Sequence, residues 1–476
     1  MIKKTKVFNP YLLLLISFLA IVLLGSFLLS MPFSFSNNPK HEWCHVGTYL
    51  DAFFTSLAAM SLTGVTTYPA GIANTLSAAG QIIVMVLVQI GGLGVVTILT
   101  FLFSFFRRKL QFKDRLVISQ AIAFTNYSEI VKFVRRLIII SAICETLGFC
   151  MGIPVFIALY PNEIGKALAY SLFYSISSFN NAGFDLFTGT SSLIGGLYAT
   201  NGNVILNDDW LYYYFSIYNG VLSLLGGVSF LVIIDMFFEK KTPRRWTSFT
   251  KIVLSISAGI ILAGSAFLFL TDGLKADNPM NLFEVFMTII NCRTAGYSYY
   301  PISEISLPGK MICAIMMFIG GSPLSTAGGI KVTTIFIIFI AVISYFRGKR
   351  IAAFKRNFSD TIVAKSMTLV FIVIFTIVLA FIGLAIFGVA HIDGLDDVVV
   401  ENLLGMYLFE AFSFFGNVGF FTGIEPNLAI GSKIILCFLM LLGHLGPMTF
   451  FQLFQNNLDK KANVHYSFVE EDFLIG

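Results

Sequence analysis

Long apolar runs separated by short polar links dominate the chain, which is the pattern of a protein that crosses a membrane several times. The runs at 11–31, 81–106, 137–160 and 367–387 are each long enough, at about 20 apolar residues per crossing, to span the core of a bilayer. Between such runs lie apolar segments of only about 10 to 14 residues, which are too short to cross. The pattern therefore predicts an all-α polytopic membrane protein with short re-entrant helices.

The short segments form an internal repeat. Each predicted half-helix ends in a glycine, successive glycines stand 119, 113 and 123 residues apart, and a phenylalanine stands ten residues before each one. Four matches in the same register indicate quadruplication of one unit. The glycines are Gly64, Gly183, Gly296 and Gly419, and the phenylalanines are Phe54, Phe173, Phe286 and Phe409.

The repeat predicts four units of helix, pore loop and helix around one central pore. Around each half-helix the order of apolar spans and polar links is the same. The expected units are 1–108, 109–245, 246–356 and 357–456, followed by a cytoplasmic tail at 457–476.

Charge gives an independent prediction of the topology. The chain is 57% hydrophobic and 12% charged, with a mean hydropathy of +0.83. Of its 31 Lys and Arg residues, 24 fall in stretches that share one side if each unit crosses twice, while 16 of the 26 acidic residues flank the half-helices. By the positive-inside rule we expect a plasma (inner) membrane protein with both termini in the cytoplasm and an acidic outer mouth.

The glycine loops predict an ion filter. Irregular backbone at membrane depth persists only where it lines a wet cavity or is buried in protein, and four such loops around one axis can surround a monovalent cation with carbonyl dipoles. Packing is the alternative reading of a glycine, as for 91–94, but the fourfold register favours the filter. The expected K⁺-binding residues are Thr63, Gly64, Val65, Ala182, Gly183, Phe184, Ala295, Gly296, Tyr297, Val418, Gly419 and Phe420.

The sequence offers little support for an enzyme. The five histidines lack metal-ligand spacing, and "GGLGVV" lacks the strand and helix context of a dinucleotide site. The six cysteines contain no CxxC pair, so we expect neither a disulfide framework nor a zinc site. No organic cofactor is expected on this chain.

Through its four glycine motifs and "GGSPLSTAGGIKVTT", the chain resembles the Trk/Ktr/HKT superfamily of potassium transporters, and most closely the Ktr membrane subunit. The resemblance extends from about residue 9 to the tail. It implies one pore per chain, with Gly64 favouring K⁺ over Na⁺. It also implies a homodimer on a cytoplasmic ring of nucleotide-binding regulatory subunits. The basic cytoplasmic face would also suit anionic membrane lipids, and no nucleic acid partner is expected.

The segment 308–346 is too long for one straight crossing. As a continuous helix its 39 residues would extend about 58 Å, against an apolar core of about 30 Å. The glycines and proline of 320–331 predict a break, and the resemblance assigns this stretch to an intramembrane gate below the filter. The expected gate residues are Gly320, Gly321, Ser322, Ser325, Thr326, Gly328, Gly329, Lys331 and His444.

Four charged or atypical positions leave alternatives open. Lys331 either serves the gate or caps carbonyls of a broken helix. The family usually has glycine where Leu324 stands and arginine where His444 stands, which puts the gating in doubt and allows pH sensitivity. Arg293, in the family's "RTAG" pattern, is expected to brace its loop without touching the ion.

Two other functions stay open. One is a sodium-permeable or sodium-coupled cation transporter. The other is a non-conducting membrane scaffold, which the departures at Leu324 and His444 allow.

Overall fold

A computed structural model describes residues 10–36, 46–94, 130–186, 209–239, 242–276, 278–353, 356–389, 397–420, 422 and 428–447. Over these residues the fold is all-α, as predicted, with one small hairpin of β1 (Ala352–Ala353) and β2 (Arg356–Asn357). The predicted cytoplasmic tail and the basic stretch at 107–129 lie outside the described residues.

The helices follow one order in every predicted unit: a first helix, a pore helix and a second helix. In chain order they are α1 (Pro10–Leu29), α2 (Val46–Ser61), α3 (Gly71–Thr75), α4 (Ala78–Leu93), α5 (Ile130–Leu159), α6 (Ile164–Phe179), α7 (Asp209–Gly227), α8 (Phe230–Ile234), α9 (Ser248–Leu268), α10 (Leu282–Arg293), α11 (Leu307–Phe318), α12 (Val332–Phe346), α13 (Asp360–Val389), α14 (Asp397–Gly416) and α15 (Ile430–Leu445). The pore helices are α2, α6, α10 and α14.

Helix packing closes the four units into a circle. Within each unit the pore helix packs against both the first and the second helix. In addition, each second helix packs against the pore helix of the following unit: α4 on α6, α7 on α10, α11 on α14, and α15 on α2. The last contact joins the fourth unit to the first, so the pore helices surround one central axis.

The described part contains several candidate membrane spans. Three helices are long and apolar enough to cross a bilayer, at Val131–Leu159, Ser248–Gly273 and Asp360–Gly388. A fourth candidate is a pair of segments, Trp210–Gly227 and Phe230–Phe237, that meet at a bend of 95°. Their outward faces carry large apolar side chains, such as Phe371 at 73% exposure, as expected of helices that contact lipid.

Local capping explains where several helices begin. The hydroxyls of Ser77, Thr247 and Ser306 accept hydrogen bonds from backbone N–H groups in the first turns of α4, α9 and α11. Asn281 and Glu284 form a capping box at the start of α10.

The pore helices differ in length from the prediction. They have 16, 16, 12 and 20 residues, so the expected length of about 10 to 14 is wrong for α2, α6 and α14. The extra residues belong to links such as "VGTYLDA" and "DVVVEN", whose mixed polarity hides the helix start. Three of the four repeat phenylalanines are buried, whereas Phe286 is 38% exposed.

Candidate functional site

The four repeat glycines form a closed ring, here called the glycine ring. A Cβ atom at any of them would overlap the carbonyl oxygen of the residue that precedes the glycine of the next unit. The overlapping pairs are Gly64 with Ala182, Gly183 with Ala295, Gly296 with Val418, and Gly419 with Thr63. The order of the pairs runs once around the four units and returns to the first.

Backbone conformation gives a second reason for glycine at these positions. The φ angles of Gly64, Gly183, Gly296 and Gly419 are +76°, +69°, +72° and +81°. This left-handed region is costly for residues with a Cβ but not for glycine. The predicted flanking residues are buried beside the ring. Those directly after the four glycines, Val65, Phe184, Tyr297 and Phe420, are each at most 2% exposed.

The pore helices end just before the ring. α2, α6, α10 and α14 end at Ser61, Phe179, Arg293 and Gly416, three or four residues before their glycines. The C-terminal end of a helix carries the negative end of its dipole. Four such ends therefore favour a cation at the ring.

Asn417 joins the fourth loop to the first. Its Nδ2 lies 3.0 Å from the carbonyl oxygen of Ser61, 3.0 Å from Thr63 Oγ1 and 3.0 Å from the carbonyl oxygen of Met440. Asn417 is 1% exposed and has a φ of +52°, which asparagine tolerates better than most residues. This side chain therefore bonds two quarters of the ring together.

Asn181 has the corresponding position in the second loop. With its amide oriented to satisfy both ends, Nδ2 donates to the carbonyl oxygen of Ser223 (3.0 Å) and to Thr294 Oγ1 (3.1 Å). Its Oδ1 accepts from Gly227 N (3.0 Å) and Thr326 Oγ1 (2.7 Å). The second loop is thereby linked to the third loop and to the 320–331 segment.

Sequence reasoning missed both asparagines, although a signal was present. Asn181 and Asn417 stand two residues before their ring glycines, within the quoted "NNAGF" and "GNVGF". A polar amide that recurs at one repeat position suggests a shared contact. Only the cyclic order of the units shows that the contact reaches the neighbouring quarter.

A second repeated feature was also missed. Near the end of each second helix stand "GGLG", "GGVS", "GGSP" and "GHLG", beginning at residues 91, 226, 320 and 443. In three units the first glycine of this group lies against a carbonyl oxygen near the end of the pore helix: Gly91 on Met60, Gly226 on Phe179, and Gly443 on Phe415. These glycines let the second helices approach the pore helices closely.

The 320–331 segment interrupts the third unit's second helix, as the glycines predict. α11 ends at Phe318 and α12 begins at Val332. The segment is bound to the bend of the second unit, because Ser322 N donates to Gly227 O (3.2 Å) and Thr326 N donates to Gly226 O (3.3 Å). It therefore spans from the third unit to the second.

The other side of the segment touches the fourth unit. A Cβ on Gly328 would meet the carbonyl oxygen of Gly416 and the Asn417 side chain. Both of these residues lie within three positions of Gly419. The segment consequently lies between the bend of the second unit and the pore-helix end of the fourth, next to the glycine ring.

Internal contacts hold the segment in shape. Ser325 Oγ donates to Ser322 O (2.7 Å), and a Cβ on Gly320 or Gly321 would overlap Gly328 or Ala327. Gly329 adopts a φ of +72°. The predicted gate residues 320–331 thus form one compact loop.

Lys331 and Leu324 have clear local roles. Lys331 Nζ donates to the carbonyl oxygen of Ala327 (2.6 Å), a residue of the loop itself that lies outside both α11 and α12, so the bond closes the loop and does not cap a helix end. Leu324 has a φ of +56°, which explains why glycine would fit this position better. Its side chain packs against an apolar cluster that includes Phe230 and Phe133.

His444 makes its hydrogen-bond contact outside the 320–331 segment. Its Nδ1 lies 3.2 Å from the carbonyl oxygen of Ser61, at the end of α2. Its ring stands 5.3 Å from that of Phe18 in α1. Among the described contacts, no hydrogen bond joins His444 to Lys331.

Arg293 is buried at 3% exposure. Its NH2 group donates to Ser257 Oγ (3.1 Å), and its Nε is 3.5 Å from the carbonyl oxygen of Gly320. These neutral partners connect the third pore helix to α9 and to the interrupted helix. The geometry agrees with a bracing role for this side chain.

An intramembrane carboxylate behind the second loop was not anticipated. Glu145, near the middle of α5, accepts hydrogen bonds from Ser141 (2.7 Å), Gln89 (2.9 and 3.1 Å) and Asn180 (3.3 Å). Asn180 stands three residues before Gly183. Glu145 therefore ties the first and second units together close to the ring.

The comparisons with known proteins agree with this architecture. A family model described as TrkH, cation transport protein, matches residues 30–257 and 277–466. The potassium/sodium uptake protein NtpJ of Enterococcus hirae is 30% identical over an alignment of 479 residues. The alignment covers 98% of this chain and 97% of that protein. The Ktr system potassium uptake protein B of Bacillus subtilis is 27% identical, covering 96% of this chain and 95% of that protein.

A solved structure supports the fold. The potassium transporter TrkH of Vibrio parahaemolyticus matches with a TM-score of 0.66 at 17% identity, covering 94% of this chain and 86% of that one. Together with the family match, these likenesses agree with the resemblance drawn from the glycine motifs. The chain is a multi-pass membrane protein that belongs to the TrkH family of cation transport proteins, a family of ion transporters and not of enzymes.

Proposed function

We propose that the protein takes up K⁺ across the plasma membrane through a pore whose selectivity filter is the glycine ring. The single observation that carries the proposal is the closed circle of contacts, in which each ring glycine abuts the carbonyl of the next unit. Four backbone loops at one level can replace the hydration shell of a cation with carbonyl oxygens. No covalent chemistry is involved, and K⁺ is the bound and transported species.

Electrostatics supports cation selectivity. The negative ends of four helix dipoles point to the ring. Acidic side chains stand near it, including Glu410 at nine residues before Gly419 and Asp185 at two residues after Gly183. Uptake would be driven by the membrane potential, which contributes about 2.3 kcal/mol per charge per 100 mV.

The test is flux of K⁺ and Na⁺ into liposomes that contain the purified protein, with Gly64→Ser as the variant. A side chain at Gly64 would overlap the Ala182 carbonyl, so the ring must widen. We expect the wild-type protein to prefer K⁺ and the variant to lose most of that preference. Unchanged selectivity in a folded variant would contradict the filter.

Gly71→Ser is the matched control. Gly71 also has a positive φ, +70°, but a Cβ there would meet nothing within 4 Å. The two variants thus share the backbone cost and differ in the overlap with the next loop. Only Gly64→Ser should change the ratio of K⁺ to Na⁺ flux.

One comparison favours a second candidate function. The relative from Enterococcus hirae is named as a potassium/sodium uptake protein. A sodium-permeable or sodium-coupled transporter would use the same ring, and the flux assay separates it from a K⁺-selective pore. Equal Na⁺ flux in the wild type, or K⁺ flux that requires Na⁺, would favour this alternative.

We further propose that the 320–331 segment gates the pore and that a cytoplasmic partner controls it. The contacts of this segment with the end of α7 in the second unit and with the end of pore helix α14 in the fourth support the gate. Relatives named as proteins B and D of a Ktr system suggest other components of such a system. The proposed assembly is a homodimer seated on a ring of nucleotide-binding regulatory subunits.

A further inference from the structure

The segments that follow the ring glycines are held from behind by side chains of the pore helices. We propose that these hydrogen bonds set the width of the glycine ring and thereby its selectivity among cations, with the third unit held differently from the other three. The proposal rests on the proposed filter. The segments concerned, here called the outer segments, are residues 65–67, 184–186, 297–299, and 420 with 422.

In the fourth unit a carboxylate of the pore helix makes this attachment. Glu410, in α14, is 1% exposed and lies nine residues before Gly419. Its Oε1 accepts hydrogen bonds from Thr422 N (2.7 Å) and from Thr422 Oγ1 (2.8 Å). Thr422 lies three residues after the glycine, so the pore helix holds both the backbone and the side chain of the outer segment.

The second unit repeats this contact with different chemistry. Tyr174 stands nine residues before Gly183, at the position of Glu410 in its own unit. Its hydroxyl donates to the Asp185 carboxylate and accepts from Leu186 N (3.0 Å). Tyr174 is fully buried. Two successive residues of this outer segment are therefore bound to α6.

The first unit uses hydroxyls at the same register. Thr55, nine residues before Gly64, has its Oγ1 2.9 Å from Thr66 Oγ1. The next residue, Thr67, donates to Asp51 Oδ1 (2.7 Å). Asp51 is in turn ion-paired with Lys433 of α15 at 2.7 Å. Pore helix α2 thus holds its outer segment at two points.

The third unit lacks the corresponding group. Met287 occupies the position nine residues before Gly296 and cannot form such a hydrogen bond. Instead Tyr297, directly after the glycine, donates its hydroxyl to Ser177 Oγ of α6 (2.8 Å). The third outer segment is therefore attached through Tyr297 to the neighbouring unit.

The shared feature of these attachments is the position nine residues before each ring glycine, and not the type of residue that stands there. The residues at the shared position are Thr55, Tyr174, Met287 and Glu410, which have no chemistry in common. A ring that selects for K⁺ must resist contracting around a smaller cation such as Na⁺. Bonds behind the outer segments resist such movement, because each must break or stretch before the carbonyls shift.

The test compares Thr422→Val with Thr422→Ser in the liposome flux assay. Valine removes only the hydroxyl bond to Glu410, whereas serine retains it. We expect Thr422→Val to lower the ratio of K⁺ to Na⁺ flux about fivefold, which corresponds to about 1 kcal/mol, and Thr422→Ser to stay near the wild-type ratio. Thr368→Val is the matched control, since among the described residues the Thr368 hydroxyl bonds Ala364 O in its own helix (2.9 Å) and no other group.

A second variant tests the proposal independently, in case Thr422→Val does not fold. Tyr297→Phe keeps the ring and removes the bond to Ser177, so its flux ratio should fall as well. Folded Thr422→Val and Tyr297→Phe proteins with the wild-type ratio would overturn the proposal. If wild type itself shows no K⁺ preference, the filter fails first, and the two failures are distinguished by that measurement.

Discussion

At the scale of single residues, Asn417 shows how one side chain can serve two quarters of the pore. It adopts a left-handed φ of +52°, and its amide lies 3.0 Å from each of three acceptors. We expect Asn417→Ala to destabilise the protein by about 3 kcal/mol, because the amide's two N–H groups lose their acceptors and because alanine tolerates the left-handed region less well than asparagine. Heating the protein in detergent and recording the loss of its monodisperse peak in size-exclusion chromatography measures the change in stability.

Asn417→Gly separates the two contributions. Glycine accepts the left-handed conformation at no cost, so this variant should lose the hydrogen bonds alone and unfold at a higher temperature than Asn417→Ala. Equal stability of the alanine variant and wild type would show that the amide does not join the loops.

At the scale of elements, the glycine-rich break between α11 and α12 was readable from the sequence because a helix of that length exceeds the bilayer. The start of the pore helices was not readable, since polar and apolar residues alternate irregularly in the links before them. The hydrogen-bond partners of the 320–331 segment could not be predicted from the sequence either. Nothing in "GGSPLSTAGGI" indicates that it binds Gly226 and Gly227 of another unit.

Lys331 offers a test of this element. Its ammonium donates to Ala327 O at 2.6 Å and so closes the loop. Hydrogen bonds to charged groups contribute about 1.5–3 kcal/mol. If the 320–331 segment alternates between its described position and one displaced from the ring, Lys331→Met should therefore shift this equilibrium about tenfold or more towards the displaced form. We expect faster K⁺ flux in liposomes.

Lys251→Met provides the control for this substitution. Lys251 also donates to a backbone carbonyl, that of Arg244 at 3.1 Å, but in an exposed position away from the 320–331 segment. Its flux should match wild type. Slower or unchanged flux in Lys331→Met would argue against a gate that this lysine holds in place.

At the scale of the whole molecule, the repeat predicted the circular order of the units, and the distribution of charge predicted their orientation. The orientation can be checked with single cysteines in a cysteine-free background. We expect Lys166→Cys, before the second ring glycine, to react with a membrane-impermeant maleimide on intact cells. Arg350→Cys, after α12, should react only after permeabilisation, and the reverse pattern would invert the topology.

Placing all four quarters of the ring on one polypeptide has a consequence for stoichiometry. A pore assembled from four identical subunits would carry four copies of every feature. Here Arg293 and the 320–331 segment belong to the third unit, so within the described residues one segment without fourfold counterparts lies beside a ring made of four similar parts. One polypeptide lets each quarter carry its own sequence, and the segment proposed as the gate belongs to the third quarter while its described partners lie in the second and fourth.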